Sequence, residues 1–185
     1  MNKKNLCGID EAGRGCIAGS LVVTGLVLHK RVDGLRDSKK LNERRREELY
    51  DVILQNSTSK SVIYSAVEID EIGLSKAISL ALEKIKEALH VDEYLFDGNS
   101  TFGVLGITTM VKADDKVDEV RAASIVAKVT RDRLMIEASK VYPQYKFEKH
   151  KGYGTALHVE LIKEHGYCVE HRRTFKLKAL EGTLF

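Results

Sequence analysis

Residues 6–15 are Leu-Cys-Gly-Ile-Asp-Glu-Ala-Gly-Arg-Gly, and this stretch decides the fold. Its apolar first half is typical of a buried β-strand, and Asp10 and Glu11 place two carboxylates at the end of that strand. Charge beside an apolar strand costs free energy unless something compensates it. Successive strand side chains point to opposite faces, so the two carboxylates can share a site only where the strand ends. The glycines that follow predict such an end and let backbone N–H groups approach a ligand closely. A charged turn with structural glycines is the alternative for this stretch taken alone.

Hydrophobic patterns on either side of this strand predict a mixture of strands and helices. Short apolar runs indicate strands, and apolar residues three or four apart indicate helices. Asn42 can cap a helix whose inner face carries Leu49, Val52 and Ile53. The segment 122–129 is apolar on nearly all sides, which predicts a buried helix. The predicted strands cover residues 6–10, 21–28, 61–67, 93–96 and 107–111, and the predicted helices cover 42–55, 70–89, 117–140 and 155–165.

Length and composition fit one α/β domain with a central sheet. The chain has 185 residues, without repeats or a Pro/Gly-rich linker, and we expect a single domain over 1–185. Its 43% hydrophobic and 31% charged residues are typical of a globular protein. The apolar run 21–28 is too short to cross a bilayer, and no signal region is visible at the start. Three scattered cysteines without a C-x-x-C pair fit reduced thiols, so we expect a cytoplasmic protein.

Two further segments also end in carboxylates. Asp97 follows Tyr94-Leu95-Phe96, and Asp114, with Asp115 beside it, follows the strand predicted at 107–111. Taken singly, Asp97-Gly98 can form a hairpin turn and Asp114 can cap a helix. Carboxylates that converge at one end of a sheet need cations, and all-oxygen ligands favour Mg²⁺ or Mn²⁺. Two such ions can activate a water and stabilise the leaving oxygen in phosphodiester hydrolysis.

Basic residues are unevenly distributed, although the net charge is only +3. One cluster lies near residues 39–46 and another in the C-terminal third, where it includes Arg172 and Arg173. Such clusters can hold a nucleic-acid backbone, or they can be ordinary solvated surface.

Six ordered blocks along the whole chain resemble those of the ribonuclease HII family. The first is Asp-Glu-Ala-Gly-Arg-Gly at 10–15. The others are Asp-Ser-Lys-Lys-Leu at 37–41, Asp-Gly-Asn at 97–99, Val-Lys-Ala-Asp at 111–114 with the segment 122–133, His-Lys-Gly-Tyr-Gly-Thr at 150–155, and His-Arg-Arg-Thr-Phe at 171–175. The resemblance implies a ribonuclease H-like fold, with a central mixed β-sheet flanked by helices.

The resemblance also implies an activity and its site. The family cuts RNA paired with DNA and cuts on the 5′ side of ribonucleotides embedded in DNA, leaving a 3′-hydroxyl and a 5′-phosphate. It thereby removes misincorporated ribonucleotides and RNA primers. The implied metal-binding and catalytic carboxylates are Asp10, Glu11, Asp97 and Asp114. The implied substrate contacts are Gly13, Arg14, Gly15, Ser38, Lys39, Lys40, Asn99 and Tyr153.

Three departures and two alternatives accompany this resemblance. Cys16 and Ser20 stand where the family usually has prolines, and Asp115 stands where a small residue is usual, so either aspartate of the pair can be the metal ligand. A non-catalytic nucleic-acid-binding module would need the basic surface but not the carboxylates. The related ribonuclease HIII typically has an extra N-terminal domain and lacks the Gly-Arg-Gly and tyrosine pairing, so we do not expect it here.

The C-terminal region suggests two more sites. His165, Cys168 and His171, with His158 before them, are possible zinc ligands, but their spacing matches no familiar zinc site. We expect His171 to belong to the basic, phosphate-facing segment instead. The tail at 181–185 faintly resembles peptides that dock on the replication sliding clamp, through Leu184 and Phe185. Packing of the terminal Phe on the domain is the favoured alternative, and we expect a monomer.

Overall fold

The computed structural model describes residues 5–35 and 41–175, which contain one five-stranded mixed sheet. Its strand order is β3-β2-β1-β4-β5. The strand β1 pairs antiparallel with β2, which pairs antiparallel with β3, whereas β4 runs parallel to both β1 and β5. The strands are β1 (Leu6–Ala12), β2 (Leu21–Leu28), β3 (Ser57–Tyr64), β4 (Glu93–Asp97) and β5 (Thr108–Met110).

Six α-helices complete the described part of the chain. They are α1 (Glu43–Gln55), α2 (Ala66–Ile72), α3 (Leu74–Ala88), α4 (Asp118–Val141), the single turn α5 (Phe147–His150) and α6 (Ala156–His165). Short 3₁₀ turns cover Ala113–Asp115 and Pro143–Tyr145. None of the helices in this part of the chain has both the length and the apolar character needed to cross a bilayer.

The helix α4 packs directly against the central strand. A Cβ atom added at Gly8 would lie 2.2 Å from the backbone nitrogen of Val120, so only glycine allows this approach. The apolar residues of the segment 122–129 are buried, as the sequence predicts. This close contact holds α4 against β1, the strand that carries Asp10 and Glu11.

Two helix starts agree with the sequence, and one predicted helix is wrong. Asn42 caps α1 by accepting a hydrogen bond from the Arg45 backbone nitrogen, and Thr155 caps α6 in the same way. The single helix predicted over 70–89 is two helices, because Gly73 breaks it with a φ of +83°. The first of them starts earlier than predicted, since Ser65 and Glu68 form a capping box.

Two further predictions about packing and strand limits need correction. Val52 is 42% exposed, so the inner face of α1 carries only Leu49 and Ile53 of the three predicted residues. The strand predicted over 61–67 is Ser57–Tyr64, because the capping box at Ser65 ends it. Neither change moves a residue of the candidate site.

Candidate active site

Three carboxylates meet where β1 and β4 run side by side. The parallel register pairs Ile9 with Phe96, so the next residues along the two strands, Asp10 and Asp97, lie at the same level. Glu11 follows on β1, which continues to Ala12 only through its pairing with β2. The pairing of β1 with β4 therefore ends at the site, as the sequence argument requires. Asp97-Gly98 forms no hairpin, because β4 and β5 are parallel.

A short turn brings Asp114 to the same edge. The Ala113 backbone nitrogen donates a 3.3 Å hydrogen bond to Asp97 Oδ1, which ties the turn to β4. The carboxyl of Asp114 then lies within hydrogen-bonding reach of the Asp97 carboxyl. Asp115 lines a different groove together with Glu93 and Arg121, and its carbonyl accepts a 2.5 Å hydrogen bond from Arg121 Nη2. This geometry favours Asp114 over Asp115 as the partner of Asp97.

Burial and mutual repulsion shift the titration of these groups. Burial, together with the charge of Glu11, raises the pKa of Asp10 to about 8, although a hydrogen bond from Ser124 opposes the shift. Burial also raises the pKa values of Glu11 and Asp97, and the Asp114 charge adds to the shift at Asp97. Clustered carboxylates with raised pKa values form a site at which a cation would relieve the repulsion.

The donor set fits a divalent cation. Glu11 Oε2 is buried and has no hydrogen-bond partner among the described residues, whereas Glu11 Oε1 lies 3.5 Å from Arg14 Nη1. A buried carboxylate oxygen without a partner is costly, and a metal ion would satisfy it. Within the described ranges, no three His, Cys, Asp or Glu side chains are already placed to hold one ion. Mg²⁺ and Mn²⁺ sites of nucleases commonly complete their coordination with water and substrate phosphate.

In the loop after β1, the structure separates Gly13 from Arg14 and Gly15, although the resemblance implies substrate contact for all three. Gly13 is buried with a φ of +92°, and a Cβ atom there would lie 2.1 Å from Arg131 Nε, so packing requires this glycine. Gly15 is exposed, and a Cβ atom there would meet nothing within 4 Å. Arg14, also exposed, lies over the ring of Phe102. Space for a ligand therefore exists at Gly15 and Arg14.

Tyr153 lies close to this loop and beside two cationic side chains of α4. Its side chain is 45% exposed, and the cationic groups of Lys128 and Arg131 lie 5.7 Å and 5.8 Å from its ring centroid. Its hydroxyl is within hydrogen-bonding reach of the Cys16 thiol. The structure thus brings Tyr153 together with the 13–15 loop, leaving part of its ring accessible.

Three predicted contacts lie outside the described residues, and one lies beside the carboxylates. Ser38, Lys39 and Lys40 fall in the gap between residues 35 and 41. Asn99 is exposed and follows Asp97 by two residues.

Two buried arginines hold the loops, and the sequence analysis missed their role. Arg131 donates to the carbonyls of Ser20, Ala18 and Lys151, at 2.8–3.0 Å. Arg172 donates to the carbonyls of Gly19 and Arg14. Burial lowers the pKa of Arg172 to about 10, and the nearby charge of Arg131 contributes. The expectation that Arg172 belongs to a basic surface is wrong, because its side chain is fully buried. Both arginines lie within the sequence blocks that resemble the family, but only the structure shows that they bond backbone carbonyls.

His171 is also buried, which corrects its predicted place on a phosphate-facing segment. It is 2% exposed, and its two ring nitrogens contact the Cys168 backbone nitrogen and the His158 ring. The other ring nitrogen of His158 contacts the Tyr153 carbonyl. These nitrogens are engaged in hydrogen bonds rather than arranged around a zinc ion.

Comparisons with known proteins agree with this geometry. The family model described as ribonuclease HII matches residues 7–178. A ribonuclease HII of Sulfurovum sp. (strain NBC37-1) is 58% identical over 183 residues, which cover 98% of this chain and 97% of that protein. The structure of a ribonuclease HII from Archaeoglobus fulgidus, in complex with PCNA, matches with a TM-score of 0.83 and 27% identity, covering 94% of this chain and 96% of that one. A ribonuclease H2 structure from Pyrococcus horikoshii OT3 matches with a TM-score of 0.75 and 27% identity, covering 93% and 94%. The predicted ribonuclease H-like fold with a central mixed sheet is confirmed.

Proposed function

Since this chain belongs to the ribonuclease HII family, whose members are endonucleases that hydrolyse RNA in hybrids with DNA, we propose that it also cuts on the 5′ side of single ribonucleotides embedded in DNA. The observation that carries this proposal is the meeting of Asp10, Asp97 and Asp114 beside an exposed glycine loop and a half-exposed tyrosine. Its cellular role would be the removal of misincorporated ribonucleotides and RNA primers.

The four carboxylates would hold the metal ions of the reaction. Asp10, Glu11, Asp97 and Asp114 supply only oxygen ligands, which suit Mg²⁺ or Mn²⁺. Two bound ions would lower the pKa of the attacking water and stabilise charge on the leaving 3′-oxygen. Ser124 holds the Asp10 carboxyl, and the Ala113 backbone nitrogen holds that of Asp97, so both are oriented before substrate arrives.

The loops would select the substrate. Backbone groups of Gly13, Arg14 and Gly15 would bond the ribose 2′-hydroxyl, which distinguishes RNA from DNA at one position. The Tyr153 ring would pack against the deoxyribose that follows, where a second hydroxyl would intrude. Asn99 would contact substrate next to Asp97, and Ser38, Lys39 and Lys40 would contact phosphate.

The direct test is cleavage of a duplex that carries one ribonucleotide, mapped at nucleotide resolution in Mg²⁺ or Mn²⁺. We expect one cut on the 5′ side of the ribonucleotide, leaving a 5′-phosphate on the downstream fragment. Cleavage only inside continuous RNA would contradict the role at single ribonucleotides. A non-catalytic binding module would give no cleavage with either ion.

A second proposal concerns a partner. The Archaeoglobus fulgidus relative was solved in complex with PCNA, and the tail at 181–185 ends in Leu184-Phe185. We propose a weak contact of this tail with a sliding clamp. Deleting Leu184 and Phe185 should abolish clamp binding without changing cleavage, and failure of the intact chain to bind a clamp would contradict this proposal.

A monomeric, cytoplasmic enzyme with one catalytic domain over 1–185 remains our prediction.

A further inference from the structure

A chain of hydrogen bonds runs through two buried histidines to the backbone of Tyr153. The Cys168 backbone nitrogen lies 2.9 Å from His171 Nδ1. His171 Nε2 lies 3.1 Å from His158 Nε2, and His158 Nδ1 lies 2.9 Å from the Tyr153 carbonyl oxygen. His158 is fully buried and His171 nearly so.

The two ends of the chain determine where its protons lie. A backbone nitrogen can only donate, so His171 Nδ1 must be the acceptor and its proton is on Nε2. A carbonyl oxygen can only accept, so His158 must carry its proton on Nδ1. The His171 Nε2–H then donates to the bare Nε2 of His158, and each bond has one donor and one acceptor. The Cys168 thiol, whose Sγ lies 3.2 Å from His171 Nδ1, can also donate to that nitrogen, so two neutral rings in these tautomers satisfy all four contacts.

The surroundings favour these neutral forms. Burial lowers the pKa of His158 to about 3 and that of His171 to about 4. The His150 ring stacks on the His158 ring with a centroid distance of 4.0 Å, and it bonds the Tyr145 carbonyl and the Gly152 backbone nitrogen. The Tyr153 carbonyl accepts a second bond from the Thr155 backbone nitrogen, at 2.8 Å.

At its His171 end, the same series of hydrogen bonds is connected to the loop that contains the glycines. His171 forms an isolated β-bridge with Ala18, and the Arg172 backbone nitrogen donates to the Ile17 carbonyl at 2.9 Å. The Gly19 backbone nitrogen donates to the Glu170 carbonyl at 2.7 Å. The backbone around His171 is therefore attached to the loop that follows Gly15, while its ring leads to Tyr153.

We propose that the His158–His171 pair is a positioning device that sets the place of Tyr153 relative to the 13–15 loop and thereby the preference for an RNA–DNA junction. Neither ring contacts substrate in this proposal. It deepens the proposed function, because it depends on Tyr153 sensing the nucleotide after the ribose.

The tautomers can be tested without measuring activity. In the ¹⁵N NMR spectrum of the intact, ¹⁵N-histidine-labelled chain at neutral pH, we expect His158 to be protonated only at Nδ1 and His171 only at Nε2. His158→Gln identifies one set of signals by its loss. Charged rings, or the opposite tautomer in either ring, would overturn the proposal.

Two substitutions at His158 separate positioning from mere packing. In His158→Asn the amide nitrogen takes the place of Nδ1 and keeps the bond to Tyr153. In His158→Gln the amide reaches the place of Nε2, so it keeps the contact with His171 and loses that bond. The measured quantity is the ratio of cleavage at a lone ribonucleotide in DNA to cleavage within a continuous hybrid.

We expect His158→Gln to lower this ratio by about fivefold, the factor that one hydrogen bond of ordinary strength supplies. His158→Asn should stay much closer to the wild type, and thermal unfolding of both variants reports their stability. The matched control is His165→Gln, in the last turn of the same helix, which should leave the ratio unchanged. Equal ratios in His158→Asn and His158→Gln would overturn the inference. A wild-type chain with no junction preference would instead overturn the proposed function.

Discussion

At the scale of single residues, burying the carboxylates is costly for the fold, and the proposed metal ions would make use of them. Asp10 and Asp97 lie level on neighbouring parallel strands, and Asp114 reaches Asp97 from the next turn. Each is held by a hydrogen bond or lies against another carboxyl. Repulsion and burial raise the pKa values of Asp10 and Asp97, and divalent ions would reverse both effects.

Asp97→Asn should abolish cleavage while leaving duplex binding largely intact, since the proposed phosphate contacts are made by other residues. Losing a charge beside Asp10 and Asp114 should also stabilise the metal-free fold, because repulsion decreases. Steady-state cleavage, a binding assay and thermal unfolding in a chelator check these three outcomes. Ordinary cleavage by Asp97→Asn would rule out its role as a ligand.

Asp114→Asn should reduce cleavage far more than Asp115→Asn. The Asp114 carboxyl lies against Asp97, whereas Asp115 lines a separate groove with Arg121. The two variants remove the same charge from adjacent positions, so each controls for the other. Comparing their kcat values in Mn²⁺ decides the assignment, and the reverse order would mean that Asp115 is the ligand.

Tyr153→Ala should lower cleavage at a lone ribonucleotide by about tenfold or more, since an aromatic platform for a nucleic acid contributes about 1–3 kcal/mol. Tyr153→Phe should cost less if ring packing dominates, although it loses the contact with Cys16. It should cost as much as alanine if the hydroxyl bonds the scissile region. Cleavage rates on junction and continuous-hybrid substrates measure this. An unchanged junction preference in Tyr153→Ala would place junction sensing elsewhere.

At the scale of elements, α4 organises the site. Its residues Ser124, Lys128 and Arg131 reach Asp10, the Tyr153 ring and three backbone carbonyls. Arg131 links the loop that ends at Ser20 with the loop that contains Lys151. The guanidinium can do this because it has five N–H donors in a rigid plane, which a lysine ammonium lacks.

Arg131→Lys should destabilise the fold by about 2–3 kcal/mol, since charged hydrogen bonds to buried carbonyls are lost. It should also weaken junction preference, because the two loops are no longer tied together. The matched control is Arg133→Lys, two residues further along α4, whose exposed side chain pairs with Glu47. That variant should change stability by less than about 0.5 kcal/mol. Equal unfolding free energies for the two variants would contradict the role of Arg131.

At the scale of the whole molecule, two buried groups respond oppositely to pH. The pKa of Asp10 is raised in the fold, so its contribution to stability is present at low pH and is lost as pH rises towards about 8. The pKa of His158 is lowered to about 3, so its contribution is present above the ordinary value of 6.5 and is lost as pH falls. The two effects oppose each other between the ordinary pKa values of 3.8 and 6.5, so without divalent ions stability should be highest near pH 6.5 and should fall as pH rises further towards 8.

Asp10→Asn should make the thermal stability of the metal-free protein flatter between about pH 7 and 8, a window in which His158 and His171 are neutral in the folded chain and mostly neutral in the unfolded chain. The wild type should lose stability across this window, because Asp10 must give up its proton in a buried site. Thermal unfolding in a chelator measures both slopes. Adding Mn²⁺ should reverse the loss in the wild type, and identical slopes in the two proteins would contradict the shifted pKa of Asp10.

The sequence by itself determined the features that depend on short stretches of chain. The strand that ends at Asp10-Glu11, the cap at Asn42, the stop at Gly166 and the buried segment 122–129 all follow from local periodicity and turn chemistry. The six ordered blocks identified the family, because they preserve residue types along the whole chain.

Only the tertiary structure decided which polar residues are buried and what they bond. Arg131 finds the Ser20 carbonyl 111 positions away, and Arg172 finds the Gly19 carbonyl 153 positions away. From the sequence, the cluster of basic residues that includes Arg172 suggested an exposed surface, because a local pattern cannot show hydrogen-bond partners that are so far away along the chain. The contact of Asp114 with Asp97, and the contact of the histidine pair with the Tyr153 carbonyl, depend likewise on strands and loops that meet in space. The free energy of a buried polar group is set by its nearest atoms, and the fold alone determines which atoms those are.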